Sequence, residues 1–90
     1  MTPNRTKIKN TILEIVSKGL AITTSPNVSN EQYSTWQNYA QVMLRICSYQ
    51  YNPTIYINYL KVCTNILSIS NNNEKMRLCF NYLLGVAKIL

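Results

Sequence analysis

Chain-breaking residues are almost missing from this sequence: two glycines (Gly19, Gly85) and three prolines (Pro3, Pro26, Pro53) are all that interrupt 90 residues. Sheets need frequent turns and turns draw on Gly and Pro, so long uninterrupted segments point to helices. Two of the prolines sit where helices begin. Thr2 before Pro3 and Asn52 before Pro53 each join a capping side chain to a residue whose fixed φ suits the first helical position. Between these marks, apolar residues recur every three or four positions, the period of a helix with one buried face. The expectation is an all-α chain, a small single-domain four-helix bundle over 1–90, with helices at about 4–20, 30–51, 53–69 and 73–90.

The first helix offers Ile8, Ile12, Ile15, Val16 and Leu20, with Gly19 read as a stop signal, and the turn-rich stretch from Ala21 to Val28 reads as a loop. The second has the clearest start. Ser29 and Gln32 are spaced as a capping box, and Val28 and Tyr33 stand at the staple positions. Its core stripe is Tyr33, Trp36, Ala40, Met43, Leu44, Cys47 and Tyr51, opposite Ser34, Asn38, Gln41 and Arg45. For the third helix the expected stripe is Tyr56, Tyr59, Leu60, Cys63, Ile66 and Leu67, with Thr54, Asn58, Lys61, Thr64, Asn65 and Ser68 turned to water. A strand over 54–59, where β-branched and aromatic residues are dense, is the competing reading. The short connection at Asn52 and Pro53 makes helices two and three antiparallel neighbours. The asparagines after Ser70 can cap helix four, which buries Met76, Cys79, Phe80, Leu83, Val86, Ala87 and Leu90.

Second apolar stripes remain: Leu78, Tyr82 and Ile89 on helix four, Ile55, Val62 and Ile69 on helix three, Tyr39 and Ile46 on helix two. Together they exceed what 90 residues can easily hide, so Leu78, Tyr82 and Ile89 are candidates for an apolar interface, either a homodimer or a docking groove. Tyr39, Tyr49 and Tyr82 fall off the core stripes and are expected at the surface.

Chemistry is hard to place in this chain. It has nine Lys and Arg, three Glu (Glu14, Glu31, Glu74), no Asp and no His, for a net charge of +6. Without histidine there is no Ser-His or Cys-His nucleophile pair and no His-ligated metal, and the carboxylates are few and scattered, so no enzyme, catalytic residue, metal site or cofactor is expected. The same absence excludes compact helical ribonuclease toxins, whose signature sets an Arg a few residues before a His. A helix-turn-helix DNA binder fits poorly, because helices two and three are long and their turn carries Pro53. Cys47, Cys63 and Cys79 are odd in number and lack C-x-x-C spacing, which suits reduced core thiols in a cytoplasmic protein. No stretch approaches about 18 uncharged apolar residues, so no membrane span is expected.

Only 13% of residues are charged against about 25% in an ordinary domain, and 12 asparagines carry much of the polarity. Such a surface is prone to make contacts. The basic excess gathers at Arg5, Lys7 and Lys9 and at Lys75 and Arg77, with Lys88 near the other end of helix four. Positive charge at a helix N-terminus opposes the macrodipole, a mild pointer to an anionic partner. Arg5 and Lys9 also extend the apolar stripe of helix one, so its first turn is expected either to project beyond the bundle or to meet acidic groups of a partner. These features suggest a small non-catalytic protein-binding module with an acidic protein partner, such as a phage or mobile-element adaptor or inhibitor of a larger nucleic-acid-handling machine. The alternative is a basic helical nucleic-acid-binding protein that sets the same cations against phosphates.

Overall fold

The computed structural model describes residues 5–90, so the Thr2 and Pro3 start signal lies outside the described residues. Among the described residues are four helices, α1 (Arg5–Ile22), α2 (Asn30–Gln50), α3 (Thr54–Ile66) and α4 (Asn72–Ile89), and no strand. The chain is an all-α four-helix bundle, and residues 54–59 are helical. Each helix runs antiparallel to the next. Trp36 of α2 meets Ile15 of α1 while Tyr51 lies under Arg5, Gln37 and Gln41 reach Cys63 and Tyr56 on α3, and Tyr59 reaches Cys79 on α4. α4 returns beside α1 and closes an up-down-up-down ring about 42 Å long.

Local signals set the helix starts. The Ser29 hydroxyl accepts from Gln32 N at 3.0 Å and the Gln32 carboxamide accepts from Ser29 N at 3.0 Å, completing the capping box, and Val28 is buried beside it. Asn52 Oδ1 accepts from Thr54 N at 3.0 Å and from its hydroxyl at 2.8 Å, which starts α3 behind Pro53. Asn71 Oδ1 accepts from Glu74 N at 3.0 Å and caps α4. The next two asparagines act over long range. Asn73 accepts from Val28 N and donates to the carbonyls of Thr23 and Ser25, while Asn72 donates to Val28 O and Asn30 Oδ1. Two amides at the start of α4 thereby satisfy the backbone of the α1–α2 loop, which has no ladder of its own.

The core differs from the sequence expectation in three places. Gly19 does not end α1, which continues to Ile22. It is buried where Trp36 and Phe80, in edge-to-face contact with centroids 5.2 Å apart, press on the α1 backbone. Trp36 Nε1 donates to Ile15 O at 2.8 Å, and only a residue without a Cβ allows that approach. Leu20, expected in the core, is 53% exposed because Gly19 holds the inward position. On α3 the inward face is rotated: Ile55, Tyr59 and Ile66 are buried, whereas Leu60 and Leu67 are exposed. α3 is apolar around most of its circumference, so periodicity alone leaves its phase open. Bonds to neighbours on both flanks set it, with Tyr82 donating to Ile55 O from α4 and Gln41 donating to the Tyr56 hydroxyl from α2. α3 also stops three residues short of its expected end, where Leu67 N and Ile69 N turn back to carbonyls three positions earlier.

Candidate functional site

The antiparallel order sorts the charges by end. The N-terminus of α1, the C-terminus of α2, the N-terminus of α3 and the C-terminus of α4 meet at one end of the bundle. This end carries Arg5, Lys7, Lys9, Arg45 and Lys88, and none of the chain's three Glu side chains. The α1–α4 register is fixed by Thr23 with Asn73 and by Gly19 with Phe80, and it sets Lys9 level with Lys88 and Leu13 level with Leu84. Leu13, Leu84 and Ile89 are all exposed beside these cations.

Two of the cations are held on aromatic rings. The Arg5 guanidinium lies 5.1 Å from the centroid of Tyr51, and Arg45 lies 5.6 Å from that of Tyr56. The first turn of α1 therefore neither projects beyond the bundle nor needs a partner's acid to accommodate its charge: Arg5 covers the end of α2, and Lys9 is half-buried. Arg5 also faces Cys47, whose thiol is pushed up by burial and drawn partly back down by the guanidinium charge.

The opposite end is balanced. Arg77 pairs with Glu74, Lys18 pairs with Glu14 at 3.4 Å, and Lys75 lies 5.3 Å from the Tyr33 centroid. The six cations singled out in the sequence are thus not one surface. Arg5, Lys7, Lys9 and Lys88 come together, and Lys75 and Arg77 lie at the far end of the bundle. Arg45, placed by the sequence only on a polar helix side, joins the first group. No local spacing could have revealed that grouping, which needs the antiparallel topology.

The apolar candidates are also redistributed. Leu78 and Tyr82 are half-buried against the core, with the Tyr82 ring 5.8 Å from that of Tyr59, so of the three only Ile89 is well exposed at 63%. Tyr82, expected at the surface, is filling the α3–α4 seam. The larger exposed stripe is on α2: Tyr39 at 69%, Val42 at 54%, Ile46 at 41% and Tyr49 at 94%. Val42 is the member that the sequence reading missed, although the 3-4-3 spacing of the four would have shown it.

Two of the three thiols have hydrogen-bond donors pointed at them. Tyr59 donates toward Cys79 Sγ at 3.9 Å, and Gln37 donates to Cys63 Sγ at 3.4 Å. Burial pushes the Cys79 thiol up to about 11 and the Tyr33 phenol up to about 12, and it raises Tyr59 further. At neutral pH these groups are protonated and serve packing. Among the described residues no three His, Cys, Asp or Glu side chains are placed to hold a metal, and no helix is long and apolar enough to cross a membrane. A groove of about 630 Å³ runs between the end of α1 and the start of α4, lined by Leu20, Asn73, Glu74, Arg77 and Phe80 among others, away from the basic end. No family model matches this chain, and neither a curated protein nor a solved structure is similar to it.

Proposed function

We propose that this chain is a small non-catalytic protein-binding module that docks an acidic protein surface with the basic end of its bundle. The observation that carries this reading is the segregation of charge, with five cations and no Glu at an end whose cross-section is about 24 × 19 Å. Arg5 and Arg45 are pre-positioned on tyrosine rings, which lowers the entropy lost when they engage a carboxylate. Leu13, Leu84 and Ile89 supply exposed apolar surface beside them, the mixture of arginine and apolar contact that protein interfaces favour. A phosphate-tracking surface is less well supported. Lys75 and Arg77 are remote, and Arg77 already has an acidic partner. An adaptor or inhibitor from a phage or mobile element, covering an acidic face of a larger nucleic-acid-handling machine, suits a chain of this size and charge.

The test is affinity capture from the native host with wild type, with the triple variant Arg5→Ala, Lys9→Ala, Lys88→Ala, and with the double variant Lys75→Ala, Arg77→Ala. One captured protein that the triple variant loses and the double variant keeps is the expected result. In parallel, anisotropy titrations against labelled duplex DNA and single-stranded RNA are expected to give weak binding at physiological salt. Tight binding that weakens steeply with salt and is lost in both variants would replace this reading with the phosphate-binding one.

A further inference from the structure

We infer that the outer face of α2 is a self-association surface, on which two copies of this chain pack α2 against α2, antiparallel about a two-fold axis. Thr35, Tyr39, Val42, Ile46 and Tyr49 follow one another at intervals of four, three, four and three residues, the spacing of a knobs-into-holes seam. All five are exposed. This seam flanks the inward stripe of Trp36, Ala40, Met43 and Cys47, so apolar side chains cover more than half of the circumference of α2. A helix of that kind has packing capacity for a neighbour that its own bundle does not supply. With the polar residues beside them, these side chains offer roughly 700 Å² per copy, close to the about 800 Å² per partner of a standard interface.

Charge identifies the occupant as a second copy. The five seam positions carry no charge, and the only charged residue of α2 between Gln32 and Gln50, Arg45, flanks the seam on its α3 side, over Tyr56. On a chain of net charge +6, the seam is therefore a place where two copies meet without like charges between them. The antiparallel arrangement follows from the same asymmetry. It lays the basic end of one copy beside the acid-bearing end of the other and brings Glu31 level with the other copy's Gln50, next to Tyr51 and Arg5. A parallel pair would instead stack two basic ends. Centred between Ala40 and Gln41, the antiparallel pair sets Tyr39 beside the other copy's Val42, Ile46 beside its Thr35 and Tyr49 beside its Gln32, large against small.

Of the cations in the proposed docking end the dimer draws on Arg5 alone, and Val42→Glu alters none of them, so this inference and the proposed function can fail separately. Sedimentation equilibrium from micromolar to several hundred micromolar protein is expected to reach twice the chain mass of 10.4 kDa. Val42→Glu is expected to stay at one chain mass with the helical circular dichroism of wild type, because Val42 is exposed in the single chain. Glu31→Arg is expected to weaken the dimer severalfold, more at low salt than at high. For orientation, Tyr39→Cys and Val42→Cys chains mixed under mild oxidation are expected to cross-link to each other faster than either does to itself. A wild type that stays at one chain mass throughout, a dimer that Val42→Glu leaves intact, or faster self-cross-linking of Val42→Cys would overturn the inference.

Discussion

The two ends of the bundle use similar side chains in opposite ways. Where the α1–α2 loop meets the start of α4, the polar groups are turned inward upon the chain: Asn72 and Asn73 hold the loop backbone, and Glu74 and Glu14 pair with Arg77 and Lys18. At the other end the turn is closed locally, by the Asn52 side chain and by Ser48 donating to the Asn52 carbonyl at 3.1 Å, and Arg5 and Arg45 lie on ring faces, so their N–H donors are not consumed by carboxylates. One end has spent its recognition capacity on folding. The other leaves two guanidinium groups without a carboxylate, the groups that the proposed docking would use, and that difference gives the molecule a direction.

The sharpest way to break the closed end is Gly19→Ala. An added Cβ would stand well inside contact distance of Phe80 Cε1 and 2.7 Å from Trp36 Nε1, and both rings are buried and packed edge to face, so neither moves without disturbing the other. The helix propensity of alanine favours the change by about 1 kcal/mol, but the overpacking outweighs it, for a net loss of about 2 kcal/mol. Urea unfolding should show a lower midpoint, with weakened near-ultraviolet dichroism from Trp36. Asn73→Ala ranks next. It leaves Val28 N and the carbonyls of Thr23 and Ser25 without their protein partner, at about 1–2 kcal/mol, and hydrogen exchange should rise at the α1–α2 loop while the Asn52 turn stays protected.

Much of this asymmetry could not be read along the sequence, for an identifiable reason. Signals that act within one turn of helix were legible: the Ser29 box, an asparagine cap on α4 and the inward stripes of α2 and α4 stand where spacing puts them, and α3 starts at Thr54, one residue beyond its expected start, with Pro53 at the N-cap position. Gly19 was misread because a glycine that ends a helix and one that admits a ring look alike locally, and only Trp36 and Phe80, 17 and 61 positions away, tell them apart. The α3 phase failed for the converse reason, as a helix apolar on most sides takes its orientation from its neighbours. The basic end joins residues as far apart as Arg5 and Lys88, so composition announced the excess charge and topology alone located it.

Alkali should act on both ends alike, because the thiol and phenol it reaches at Cys79 and Tyr59 lie between them, with Tyr33 nearer the closed end. Burial raises Cys79 to about 11 from an ordinary 9.0 and Tyr33 to about 12 from an ordinary 10.0, and Tyr59 rises further. As pH climbs past the unfolded values, the unfolded chain gives up protons that the folded chain retains, so unfolding gains. These groups therefore contribute their stability in full below about pH 9 and lose it progressively as pH rises through their folded values. The urea midpoint should fall across pH 9 to 11, and Tyr59→Phe should make that fall shallower. Hydrogen exchange should then rise at both ends together, unlike the one-ended response to Asn73→Ala.

The smallest expected effect has the opposite sign and falls in the half of α4 nearer the basic end. Gly85 sits inside α4, exposed, and a Cβ built there meets nothing within 4 Å. Its backbone φ is not positive, so neither conformation nor packing within the chain calls for glycine. Gly85→Ala should stabilise the fold by about 0.5–1 kcal/mol, through helix propensity and the reduced freedom of the unfolded chain. A thermal midpoint raised by a few degrees with partner capture unchanged would make Gly85 a neutral surface position. The same rise with capture lost would show that a partner's backbone comes close over Gly85, as Trp36 and Phe80 do over Gly19, and would extend the docking surface from Lys88 and Ile89 along α4.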